Sequence, residues 1–211
     1  MADWPTIASL ATAGGTLLLA VATFSAVRSG QRSAQIAERA LLIGLRPVLV
    51  PSRVTDAAED VRFVEGRTVS VCGGMAAAER DGENLYFVMP LRNVGTGLAV
   101  LHAWHISALQ PTPDSGHPEL EEFRGQLLDL YVPAGDTGFW QGAIREPGPL
   151  REEMSAALVA GELITVDLLY GDHEGGQRTI SRFVLTREDD GRRRCRVVRH
   201  WVLEGVDPRG R

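Results

Sequence analysis

The sequence predicts a mainly β protein: an antiparallel two-layer β-sandwich preceded by an N-terminal transmembrane helix and a short amphipathic helix. Two observations carry this. No charge occurs between Asp3 and Arg28. From Pro47 onward the apolar residues fall into period two and short runs bounded by Gly, Pro, Asn and Asp, the signature of antiparallel strands.

The first element is the uncharged run, residues 4–27. It is long enough to cross a hydrocarbon core of roughly 30 Å as a helix. Trp4 stands where an interfacial aromatic would, Pro5 suits a first helical turn, and Arg28 and Arg32 open the polar side. A cleaved signal peptide would carry positive charge before the apolar run, but only Asp3 precedes it, so the expectation is an uncleaved single-pass anchor, residues 1–28. Arg28, Arg32, Arg39 and Arg46 all follow the run and none precedes it, which places the C-terminal bulk in the cytoplasm beneath the plasma (inner) membrane. Next comes a helical connector, residues 29–46, in which Ile36, Ala40 and Ile43 recur at helical spacing, ended by Pro47.

The remainder, residues 47–211, divides into candidate strands at 48–54, 67–72, 85–92, 99–109, 127–132, 138–144, 163–170, 178–186 and 193–203. So many short strands in one domain suit a sandwich. Two stretches interrupt them: a breaker-rich loop at 110–118, and residues 150–159, whose helix formers predict a helix. Alternation along residues 98–109 places Val100, Trp104 and Ile106 inward, with a break of phase near His102.

Composition narrows the function. The chain has 211 residues, and its 22 cations are all arginine against 27 carboxylates, a net charge of −5 that disfavours nonspecific nucleic-acid binding. The absence of lysine removes Schiff-base chemistry and the usual phosphate-loop cation. Two cysteines, Cys72 and Cys195, exclude a disulfide-dense scaffold and a four-cysteine zinc site.

Three pieces of sequence recur together in a known group. Arg46-Pro47-Val48-Leu49-Val50 follows the anchor, then Asn93-Val94-Gly95-Thr96-Gly97 ends a strand, and Tyr170-Gly171-Asp172-His173-Glu174-Gly175-Gly176 forms a late hairpin. In this order they resemble uncharacterised bacterial single-pass membrane-anchored proteins with an immunoglobulin-like β-sandwich domain. The resemblance implies the fold and the anchor, and no activity or functional residue comes with it. Leu98 departs from the proline expected there. Physically, Gly95 and Gly97 fit a bulge or turn with positive φ, and Asn93 fits a strand end where it bonds its own backbone.

No nucleophile elbow, zinc-helix motif, phosphate loop or dinucleotide fingerprint is present, so no enzyme, cofactor or metal is expected. His102 and His105 point to opposite faces of a strand, and the one local acidic and imidazole cluster, Asp167, Asp172, His173 and Glu174, reads as a solvated hairpin tip. The expected contact residues for a partner are Arg192, Arg194 and Arg196, on one face of the last hairpin, with Trp140 as an exposed aromatic. Arg193 is expected to be solvated at the same tip. The expected function is non-catalytic: a domain anchored in the lipid bilayer by the N-terminal helix that binds a protein partner or copies of itself at the cytoplasmic membrane. The alternatives are a membrane-tethered enzyme with a site around His117, His173 or Asp172, and a lipid or nucleic-acid contact through the arginine hairpin.

Overall fold

The computed structural model describes residues 3–173 and 177–203, with their side chains except at 4–12, 39, 42 and 43. The chain forms two units, Met1–Gly44 and Leu45–Arg211. The first is a single helix, α1 (Trp4–Gly44), so the apolar run and the polar connector form one unbroken rod and Ser29-Gly30 does not interrupt it. Leu17, Leu18, Leu19, Val21, Phe24 and Val27 are all exposed on this rod. Among the described residues no helix is long and apolar enough to cross a membrane. The side chains that open the apolar run, at 4–12, lie outside the described set.

The second unit is antiparallel β with one helix. Its elements are β1 (Leu49–Pro51), β2 (Glu59–Arg62), β3 (Thr68–Val71), β4 (Met75–Asp81), β5 (Asn84–Asn93), β6 (Ala99–Ser107), β7 (Arg124–Val132), β8 (Thr137–Ile144), α2 (Pro149–Ala160), β9 (Ile164–Gly171), β10 (Thr179–Arg187) and β11 (Arg193–Val202). Nine of these strands form one curled sheet in the order β1-β5-β4-β11-β10-β9-β6-β7, with β8 on β5, while β2 and β3 pair as a separate hairpin. β8 runs along β5 from Leu85↔Ile144 to Arg92↔Thr137, so β4 and β1 share the other edge of β5. The curl carries the β5–β8 end over the β9–β10 end, and residues of both enclose one core containing Phe87, Trp140, Tyr170 and Phe183.

The sequence missed β2 and β4. The Met75–Asp81 stretch, Met-Ala-Ala-Ala-Glu-Arg-Asp, is made of helix formers, and only pairing with β5 across the two-residue turn Gly82-Glu83 holds it extended. Gly82 takes φ 57, as the first position of a II′ hairpin requires. The β2–β3 hairpin packs Val61, Phe63, Val69 and Val71 onto Tyr86 and Val88, the outer face of β5. That second layer explains why β5 is buried almost throughout and shows no alternation.

Along β6 the predicted break of phase occurs as a bulge: the pairing shifts between Leu101 and Ala103 on both sides of the strand. The bulge reverses the inward set, which is Ala99, Leu101, Trp104 and Ile106. Trp104 and Ile106 are core as expected, whereas Val100 is only half-buried because it lies before the bulge.

Asn93 ties three segments together. It is wholly buried. Its Oδ1 accepts from Val48 N at 3.1 Å and Gly95 N at 3.0 Å, and its Nδ2 donates to Gly97 O at 2.6 Å and Val132 O at 3.0 Å. All its capacity is used. Neither Gly95 nor Gly97 has positive φ, contrary to the sequence expectation. They are glycine because the chain at 45–48 passes against them: a Cβ on Gly97 would lie 1.7 Å from Leu45 O, and one on Gly95 2.2 Å from Arg46 O.

Candidate functional site

The last hairpin turns at Gly191, φ 83, between β10 and β11. Asp190 accepts from Arg192 Nε at 2.7 Å, and Glu188 pairs with Arg194. The pairing has the expected electrostatic result: the hydrogen bond from Arg194 lowers the Glu188 pKa, and the Arg192 backbone and side chain lower that of Asp190. Arg196 is exposed and has no partner among the described residues. Two of the three expected contact arginines are therefore neutralised within their own turn. Arg193 corrects the expectation of a solvated tip: it is buried, donating to Glu162 O at 2.6 Å and Leu185 O at 3.4 Å, because alternation sends it toward α2 and β9. Burial, then Arg187, lowers its pKa.

Trp140 is a second correction. It is 0% exposed and stacks edge-on against Trp104, with ring centroids 5.5 Å apart. Its neighbour Phe139 faces outward but is covered by the β2–β3 layer. The structure leaves Trp140 no surface to offer a partner.

The polar site the structure does assemble lies on the outer face of β6, β9 and β10. His105, Asp167 and Arg182 are directly opposite one another across these strands. Arg182 holds the buried Asp167 carboxylate with both ends of its fork, at 2.7 and 3.0 Å. His105 Nδ1 stands 3.7 Å from Asp167 Oδ2, too far for a hydrogen bond, and has no hydrogen-bond partner. Arg182 and Arg199 stack on Trp201 at 4.9 and 5.4 Å, and His117 meets the same ring edge-on at 5.8 Å.

The breaker-rich loop at 110–118 closes over this row. Arg199 Nη1 donates to Pro113 O at 2.9 Å, Thr165 Oγ1 donates to Leu109 O at 2.7 Å, and Ala108 N donates to Glu153 of α2 at 2.8 Å. Beneath the loop is a cavity of about 550 Å³ lined by His105, His117, Glu122, Glu153, Asp167 and Arg182. Its floor is a neutralised ion pair and most of its rim is committed too: His117 Nδ1 bonds Pro118 O at 2.7 Å, Glu153 accepts from Ala108 N and Glu122 from Glu119 N, which leaves His105 Nδ1 without a hydrogen-bond partner.

Sequence reading brought His117 and Asp167 forward, the latter only as part of an acidic cluster with Asp172, His173 and Glu174, and missed Arg182. A signal was present: Asp167 is the one charge of β9, and Arg182 stands opposite it in the antiparallel register of β9 with β10. Of the other residues considered, Asp172 is buried, His173 is exposed, and Glu174 lies outside the described residues. His102 is exposed on the bulge, apart from His105, and the described residues contain no group of three that could hold a metal.

A serine–histidine contact also occurs, Ser181 Oγ to His200 Nδ1 at 2.6 Å. Ser181 is fully buried and bonded to Tyr170 Oη at 2.8 Å, which in turn accepts from Leu49 N at 3.1 Å. This chain fastens β1 to β9 and β10; its hydroxyl is closed to a substrate. Cys72 and Cys195 are both free, the first exposed and the second buried. Compared with known proteins, the chain matches no family model and no curated sequence.

Proposed function

We propose that this is a non-catalytic, single-pass protein of the plasma membrane, whose β domain is an immunoglobulin-like sandwich that binds a protein partner or assembles on the cytoplasmic side. One observation carries the anchor. Leu17, Leu18 and Leu19 are consecutive, spaced about 100° around α1, and 67%, 73% and 69% exposed, with Phe24 and Val27 exposed on further faces. No single packing face covers side chains distributed that widely, whereas lipid surrounds them all. The arginines that follow the run, Arg28, Arg32, Arg39 and Arg46, support the cytoplasmic orientation.

The pairing of Arg192 and Arg194 with acids of their own hairpin weighs against a lipid or nucleic-acid contact there and favours an edge protected by charge. Exposed apolar residues of the β domain concentrate on β7, at Leu127, Leu128 and Tyr131, which supports a protein-binding role. The test is size and composition of the full-length chain after mild detergent extraction. A stoichiometric partner or a defined oligomer is expected, and a monodisperse monomer without a partner would contradict the binding role.

A further inference from the structure

The pairing of β6 with β7 is interrupted. It joins residues 130–132 of β7 to 99–101, then resumes only at Arg124 and Gly125. Residues 126–129 of β7 have no ladder partner in between. On the other side of β7 the next strand in the chain is β8, whose own pairing is with β5. Between β7 and β8 lies a cavity of about 220 Å³ whose lining includes Trp104, Arg124, Gln126, Leu127, Gln141 and Glu146.

Two acceptors in this cleft lack donors. Gln141 is 7% exposed, and its Oε1 has no hydrogen-bond partner. Gln126 is turned toward it, its Nε2 donating to Gln141 O at 3.0 Å, and its own Oε1 is likewise buried and unpartnered. A buried acceptor left without a donor costs about 1–3 kcal/mol. A ligand bearing N–H groups would remove that deficit.

The charges and apolar groups at the rim define the ligand further. Arg145 is neutralised by Glu65. Among the described residues Arg124, which lies over the Trp104 ring at 5.9 Å, has no carboxylate partner and Glu146 has no cation partner. Leu127 and Tyr131 of β7 are 69% and 53% exposed. The cavity is smaller than the usual range for a compact small-molecule ligand. An unpaired strand segment, orphaned acceptors, one free cation, one free anion and an outward apolar pair together match an extended polypeptide.

We propose that the cleft between β7 and β8 docks an extended segment of a partner protein, laid as a strand along residues 126–129. Its backbone N–H groups would serve the glutamine oxygens, an acidic side chain would meet Arg124, a basic one Glu146, and alternate apolar side chains would cover Leu127 and Tyr131. This rests on the protein-binding reading and specifies its surface.

Full-length chain in lipid nanodiscs, screened with phage-displayed random dodecapeptides, tests it. Enriched peptides are expected to combine an acidic residue with alternating apolar ones, and to slow hydrogen exchange at 125–129 and 141–143. Leu127→Asp and Arg124→Gln, both at exposed positions, should each weaken binding about tenfold or more, equivalent to at least about 1.4 kcal/mol. Val159→Asp, on the exposed face of α2, should leave it unchanged. No enriched peptide, protection elsewhere, or equal binding to Leu127→Asp overturns the proposal. A stoichiometric partner that copurifies equally with the wild type and Leu127→Asp would overturn this site while leaving the binding role intact.

Discussion

Replacing Asn93 with alanine should destabilise the β domain by about 3–6 kcal/mol. The magnitude follows from what the side chain serves. Removing it orphans two fully buried carbonyls, Gly97 O and Val132 O, and two partly buried amides, Val48 N and Gly95 N. Each buried orphan costs about 1–3 kcal/mol, and the amides add less because water can reach them. Against a typical total of about 5–15 kcal/mol, the loss leaves a marginal fold.

Urea unfolding of a chain starting at Leu45, followed by tryptophan fluorescence, reads it, with Val94→Ala as the exposed neighbour that should move little. Asn93→Asp sharpens the test. It keeps the acceptor but turns a carboxylate toward Gly97 O and Val132 O, so the folded state should raise its pKa above the unfolded value of about 3.9. A raised carboxyl pKa means stability present below the unfolded value and lost as pH rises through the folded one. The aspartate variant should therefore be weakest at neutral pH and recover on acidification relative to wild type. An alanine variant within about 1 kcal/mol of its parent, or an aspartate variant with no such pH trend, would refute the role assigned to Asn93.

Other outcomes follow from the same geometry. Trp140→Ala should cost about 3–5 kcal/mol in the same melt, as a wholly buried ring leaves a cavity; a neutral result would return Trp140 to the surface. Arg182→Met should cost about 3–5 kcal/mol by leaving Asp167 buried and unpaired, and adding Asp167→Leu should restore most of it. An additive double variant would contradict the pairing. The Glu188 carboxyl, followed by NMR, should titrate below the ordinary range and move up in Arg194→Gln. Because its folded pKa is depressed, its contribution is present above the ordinary carboxylate pKa and disappears as pH falls through the lower one.

Much of the β architecture could be read from residue patterns, where local chemistry and tertiary outcome agree. Strands β9, β10 and β11, the helix at Pro149–Ala160 and the phase break at His102 all follow from alternation, breakers or propensity. Two of the failures share one cause, which is burial on both faces. Trp140 beside Phe139 suggested an exposed aromatic because alternation sends one of the two to solvent, but Trp140 faces the main core and the β2–β3 layer covers the outward Phe139. Arg193 failed similarly, since the carbonyl of Glu162 that receives it arrives from beyond α2. Gly95 and Gly97 were recognised as special but for the wrong reason, because a close backbone approach leaves no signature distinct from a turn. The pairing of Asp167 with Arg182 was visible in principle from hairpin symmetry. The orphaned glutamines were not, because an unmet hydrogen bond is a property of packing.

The central claim, a membrane-anchored β domain, is tested most directly by alkaline carbonate extraction of membranes carrying the full-length chain beside a chain lacking residues 1–28. The full-length protein should remain in the membrane pellet after the wash, and the truncated protein should be found in the soluble fraction before it. Release of the full-length chain by carbonate, or retention of the truncated one in the pellet, would contradict the anchor.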